Sequence, residues 1–277
     1  MKRSLLLWIV AIILTIATAA YQRMTGPTYP LGGKTTLKGQ TINYKLDRSH
    51  GGIDDHIVKI KVDDKNISGV LGWKRFKTND NWQNDTMVYK DGFLSASLPH
   101  QPPAGKLIYK VLLTKYNSEI TIPTQQPVVI RFKGDVPLFI IIAHVILIFL
   151  AMLFSTRTGL EFFNKTPDYK KLSYWTFGLL ILGGMIFGPI MQKYAFGAFW
   201  TGVPFGIDLT DNKTLIAVIG WIIALIAINK SAKPKRWIIF ASVLMFVVYL
   251  IPHSVLGSEL DYNKMDKQQK KIENNRK

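Results

Sequence analysis

The chain has 277 residues, a formal net charge of +17, 48% hydrophobic residues and no cysteine. The lack of cysteine excludes thiol redox chemistry, disulfides, iron–sulfur clusters and covalently attached c-type haem. The positive charge is spread along the whole chain without a basic stripe interleaved with stacking aromatics, which argues for lipid phosphate as the counter-charge and against nucleic acid.

Residues 1–20, MKRSLLLWIVAIILTIATAA, place two cations ahead of an apolar stretch that ends in small residues. That order is the one expected of a signal peptide or signal-anchor helix, with Ala17-Thr18-Ala19 as a cleavage sequence. Either version puts Tyr21 onward outside the cytoplasm.

Residues 21–135 read as one extracytoplasmic β-domain. Alternating apolar and polar residues rich in β-formers recur at 40–46, 56–62, 70–76, 86–89, 93–98, 106–113 and 128–132. Asp91-Gly92 is a hairpin turn signal, because a type I′ turn needs positive φ at both central residues. The Pro-rich stretch 98–106 links the next pair of runs. About seven short strands over a domain of this size is the pattern of a β-sandwich. On strand count the domain resembles the immunoglobulin-like or fibronectin-like class, which implies a recognition or spacing module.

Between Lys34 and Lys133 there is no Gly-x-Ser-x-Gly elbow and no His-Glu-x-x-His or His-x-His pair, so neither a catalytic set nor a metal motif is indicated. The densest set of potential ligands is Ser49-His-Gly-Gly-Ile-Asp-Asp-His56, for which a solvated loop is the expected reading and a divalent-ion site the alternative. Trp73, Phe76, Trp82 and Tyr89 are expected as core and rim aromatics, with a carbohydrate platform as the lesser alternative.

Four apolar runs follow, at about 136–154, 173–191, 215–228 and 237–256, each near the roughly 20 residues that cross a bilayer. They predict a four-span helical bundle over residues 136–256, and with the β-domain an α+β integral membrane protein. The segment 229–236 carries Lys230, Lys233, Lys235 and Arg236 without an anion and is placed in the cytoplasm. Alternation then puts 156–172, with Arg157, Lys165, Lys170 and Lys171 against Glu161 and Asp168, inside as well. The spans themselves contain no Asp, Glu, Lys or Arg well within them, which weighs against an ion-coupled transporter.

His144 in the first of these spans and His253 near the end of the last are the candidate ligands of a b-type haem or a metal. Gly178, Gly183, Gly184 and Gly188 predict close helix packing in the second span. The connection from Gln192 to Lys213 is crowded with aromatics and is expected at the headgroup level. Of its two aspartates, one caps the next helix and the other is left for Lys193, Lys213, a cation or a partner. Tyr194, Trp200, Asp208 and Asp211, with Glu259 and Asp261 further on, are the candidate interaction residues of the outer rim. The polar segment 257–277, including Arg276 and Lys277, is expected to be disordered and outside.

These features predict a non-enzymatic protein of the bacterial cytoplasmic (inner) membrane that contacts the lipid bilayer and other membrane or periplasmic proteins, with no cofactor. The alternatives are electron transfer through His144 and His253, and transport of a small solute or lipid.

Overall fold

The computed structural model describes residues 2–164 and 166–275. Lys165, Arg276 and Lys277, counted above among the charges of their segments, lie outside the described residues. The chain divides into two compact units, one made of residues 1–27 and 136–258 and the other of residues 28–135 and 259–277.

The second unit is built from strands β1 (Leu31–Leu37), β2 (Gln40–Leu46), β3 (Ser49–Gly51), β4 (His56–Lys61), β5 (Ser68–Arg75), β6 (Gln83–Thr86), β7 (Val88–Lys90), β8 (Phe93–Leu98), β9 (Lys106–Lys115), β10 (Ser118–Ile122) and β11 (Val128–Lys133). They form three sheets: β1-β2, β4-β8-β7, and β3-β11-β9-β5-β6 with β10 also on β9. Six of the seven runs expected from alternation are single strands (β2, β4, β5, β8, β9 and β11), the run 86–89 falls across β6 and β7, and β1, β3 and β10 are additional. Short pieces such as Ser49–Gly51 and Val88–Lys90 leave too few residues for a period of two to show.

The alternation itself is realised. Along β4 the side chains of His56, Val58 and Ile60 are buried and their neighbours are exposed, and β9 buries Leu107, Tyr109, Val111 and Leu113. All of these but His56 join Leu71, Leu94, Leu98, Ile130 and Phe132 in a single apolar core. Burial at about 25 cal/mol per Å² of apolar surface is the main force holding this cysteine-free unit together. Asp91 and Gly92 take φ of 50° and 80°, turning β7 into β8 in the register Lys90 to Phe93.

Within the polar segment 257–277, residues 262–274 are helical where disorder was expected. Helix α7 (Tyr262–Asn274) packs on the β-domain with Tyr262 buried to 3% exposure. Composition alone favoured disorder because it counts too few apolar residues for burial. One tyrosine and a set of ion pairs supply what composition did not predict.

The first unit contains α1 (Lys2–Thr25), α2 (Leu138–Leu160), α3 (Tyr169–Leu180), α4 (Gly188–Phe196), α5 (Leu209–Lys230) and α6 (Pro234–Leu250). A π-helical turn, Ile181–Phe187, joins α3 to α4 in one rod. Four helical segments are long and apolar enough to cross a membrane: α1, α2, the α3–α4 rod and α5. Helix α6 is equally apolar in character but has 17 residues. Ala151, Met152, Leu180, Trp221, Ala224, Ala241 and Met245, from α2, α3, α5 and α6, form the core of this unit, and α1 packs against α2 and α6.

The glycines of the α3–α4 rod separate into two kinds. A Cβ on Gly183 would stand 2.9 Å from Leu147 Cβ and 3.0 Å from the Ile148 nitrogen, and one on Gly184 would stand 2.8 Å from Thr214. Here the rod touches α2 and α5 at backbone distance, as small residues allow. Gly178 has nothing within 4 Å and serves no such contact.

Candidate functional site

The aspartates of the α4–α5 connection are both buried, Asp208 to 6% and Asp211 to 5% exposure. Asp208 is the N-cap of α5, with Oδ1 accepting from the Thr210 amide at 2.8 Å. Its Oδ2 accepts from the amide and hydroxyl of Ser258 at 2.8 and 2.9 Å. Asp211 Oδ2 accepts from the amides of Thr201 and Gly202, at 2.6 and 3.0 Å, and from Gln192 Nε2 at 3.0 Å. Asp211 is therefore engaged with N–H donors. Lys193 donates to the Gly197 carbonyl and Lys213 to that of Ile251. These carboxylates stitch the 201–207 loop to α5 and to the chain after α6.

Of the other candidates of that group, Trp200 lies beside Asp211 at Gly202, and the rest are placed elsewhere. Trp200 Nε1 donates to the Val203 carbonyl and Tyr194 is exposed. Glu259 and Asp261 belong to the β-domain unit. Asp261 caps α7 by accepting from the Lys264 amide, and Glu259 binds Lys106 at 2.6 Å and Lys77 at 3.0 Å.

His144 and His253 each have a separate partner. His144 Nδ1 lies 2.9 Å from the Gly183 carbonyl in the π turn, and His253 Nδ1 lies 2.8 Å from Gln22 Oε1 on α1. Gln22 Nε2 in turn donates to the Tyr249 carbonyl at 2.7 Å. Among the described residues no group of three or more His, Asp or Glu is arranged to hold a metal ion.

A buried ion pair was missed. Arg157 and Glu161 are 2% and 3% exposed on the side chain and pair across one turn at the end of α2. The charge count places both in the cytoplasmic connection 156–172, whereas α2 continues through Leu160 and packs them inside the helical unit. Arg157 also donates to Ser4 and lies 5.3 Å from the Trp8 ring centre. Glu161 accepts from the Asp168 amide at 3.0 Å and from Asn164. The signal was present: Arg and Glu four apart share a helix face.

The β-domain carries an open groove of about 550 Å³, within the size range of ligand clefts. Its walls come from two sheets: Trp73, Asp85 and Thr86 from β5 and β6, and Ile57, Val88 and Ser97 from β4, β7 and β8. Trp73 Nε1 donates to Asp85 Oδ2 at 2.6 Å, which holds the indole along the groove. Met87, buried to 4%, is the point where the chain passes from one sheet to the other, so β6 and β7 lie on either side of it. Among the described residues no strand pairs with the outer edge of β6 or of β7. The other expected aromatics differ: Trp82 lies under Lys110 and Lys74, at 4.9 and 5.7 Å, and Phe76 beside Lys77 and Lys106.

At the start of β4, His56 is buried and its Nδ1 faces His50 Nδ1. Burial first, and then the neighbouring His50, hold the His56 imidazole below its ordinary pKa. Compared with protein-family models, curated proteins and solved structures, the chain shows no match.

Proposed function

We propose that the protein is a non-enzymatic, multi-pass component of the bacterial cytoplasmic membrane whose extracytoplasmic β-domain captures an extended segment of a partner protein. The observation that carries this reading is the groove flanked by the unpaired edges of β6 and β7. A strand edge presents free N–H and C=O groups that an extended peptide can pair with, while pockets beside it select side chains. Ile57 and Val88, 52% and 65% exposed, offer apolar contacts beside the polar pair Trp73 and Asp85.

The β4-β8-β7 and β3-β11-β9-β5-β6 sheets are read as the two layers of a sandwich, immunoglobulin-like in general outline. Its support is that Val58, Ile60 and Leu94 from one sheet and Leu71, Val111 and Ile130 from the other share one core.

The tail bears on topology. Because α7 packs on the β-domain, both belong in one aqueous compartment, and an even number of crossings must separate residue 133 from residue 262. Helices α2, α3–α4 and α5 supply three, so α6 supplies the fourth. At about 1.5 Å per residue it is roughly 26 Å long, short of the roughly 30 Å hydrocarbon core by a margin that local thinning and flanking cations absorb. Lys233, Lys235 and Arg236 at its start are the cytoplasmic cations of this arrangement. Helix α1 is retained as a membrane helix in this reading. Ala11 is fully buried and Trp8 meets Phe154 edge-on at 5.4 Å, contacts that its removal would leave open.

A photo-crosslinking residue at Val88, with a second at Lys38 as control, tests the reading in cells. A discrete adduct at Val88 that is absent at Lys38 and lost on Ile57→Asp is expected. Equal capture at both positions, or none, would sink the reading.

A further inference from the structure

Two imidazoles converge at the edge of the β-domain core. His50 is the central residue of β3, held against Phe132 of β11 by the parallel register, and its ring meets that of Phe132 at 5.6 Å. His56 opens β4. The turn between them, through Gly52 at φ 102°, brings His56 Nδ1 to 3.3 Å from His50 Nδ1.

The outer nitrogens decide what the inner ones can be. His50 Nε2 lies 2.9 Å from the Asp54 carbonyl, which can only accept, so Nε2 carries the hydrogen and Nδ1 of the neutral ring is a lone pair. His56 Nε2 faces the Asp47 carboxylate at 3.9 Å, and a hydrogen on Nε2 suits that carboxylate where a lone pair would be repelled. In that tautomer His56 Nδ1 is also a lone pair, and the 3.3 Å contact is closed by an electrophile between the two nitrogens; in the other tautomer a hydrogen on His56 Nδ1 closes it.

The distance indicates which kind. With metal–nitrogen bonds of about 2.0–2.1 Å and tetrahedral angles, neighbouring ligand atoms stand about 3.3–3.4 Å apart. A carbonyl on the far nitrogen of one imidazole and a carboxylate beside that of the other is also the usual support of a metal-bound histidine. We infer that His50 and His56 form a two-imidazole site for a divalent transition metal such as Zn²⁺, bound through both Nδ1 atoms with water completing the coordination. The site supplies two protein ligands, and among the described residues no third His, Asp or Glu joins them. His100 rests edge-on against Phe132 at 5.9 Å and is outside the pair.

The test uses the untagged full-length protein in mild detergent, stripped with chelator and titrated with Zn²⁺ by calorimetry, with Co²⁺ as a spectroscopic probe. One Zn²⁺ per chain is expected, with tetrahedral-type visible bands for Co²⁺. His50→Gln, at a half-buried position, should weaken binding by about tenfold or more with an unchanged circular dichroism spectrum, and His100→Gln should leave it intact. His56→Gln should act as His50→Gln does, but its burial makes His50 the deciding variant. No saturable Zn²⁺ binding by the wild type, or binding that survives His50→Gln, would overturn the inference. A proton shared by the two rings, seen as a common imidazole resonance in the chelator-treated protein that added Zn²⁺ does not displace, would overturn it as well.

Discussion

Arg75 holds Asp266 through two parallel bonds, Nη1 to Oδ1 at 2.9 Å and Nη2 to Oδ2 at 2.8 Å. The same guanidinium binds Asp80 through Nε at 2.7 Å and lies 5.1 Å from the Tyr262 ring centre. A planar cation with a fixed fork of donors is suited to two carboxylates at once. Through this contact, the polar tail becomes part of the β-domain unit.

Docking of the tail should depend on pH at both ends of the range. Hydrogen bonds from Arg75 hold the Asp266 carboxyl below its usual value, and at Glu259 burial is outweighed by Lys106 and Lys77, with the same result. Groups depressed in the folded state stabilise it above their unfolded values and cease to do so as pH falls through the depressed ones. Burial pushes Tyr262 up to about 12, so its contribution is complete below the ordinary tyrosine value and lost as pH rises toward that figure. Docking should be level from about pH 5 to about pH 9 and weaken outside those limits. The chain lacks cysteine, so a nitroxide on Gln268→Cys reports this directly, as increased mobility at either extreme. Tyr262→Ala should give the mobile spectrum at neutral pH.

Asp211 should be the most sensitive residue of the α4–α5 connection. Replacement by Ala leaves the Thr201 and Gly202 amides without their acceptor at a buried position, at a cost of about 2 kcal/mol or more. Expected results are a lower melting temperature in detergent and faster hydrogen exchange at those two amides. Asp211→Asn, which keeps an acceptor oxygen, should lose less.

Alanine at two glycines of the same rod should act differently. Gly183→Ala drives a methyl into Leu147 and the Ile148 backbone and should destabilise by about 1–3 kcal/mol. Gly178→Ala meets open space and should be neutral or slightly stabilising. Thermal unfolding of the two variants side by side measures the difference.

The Arg157–Glu161 pair should reveal itself by asymmetry. Arg157→Met leaves a buried carboxylate without its cation and should cost about 3 kcal/mol or more. Adding Glu161→Gln removes that charge while keeping an acceptor for the Asp168 amide, and should recover much of the loss. A double-mutant cycle in detergent gives the coupling, and additive losses would show that the two side chains act independently.

The sequence by itself determined the local features of the molecule. The period-two alternation of residues 56–62, the Asp91-Gly92 turn, the long apolar helices and a cap by one of Asp208 and Asp211 each depend on a few consecutive residues, so each was legible from them; that Asp208 is the cap came from the structure. What required the tertiary structure was every relationship between distant residues. Polar side chains at Asp211, Arg157, Glu161 and Asp266 look solvated until their partners are known, because burial of a charge is decided by donors supplied from other segments. His50 and His56 were visible as a dense set of potential ligands, but only the path of β3 along β11 and the turn into β4 brings their Nδ1 atoms face to face. The groove is likewise a tertiary product, since its walls come from two sheets and the chain crosses between them at one buried methionine.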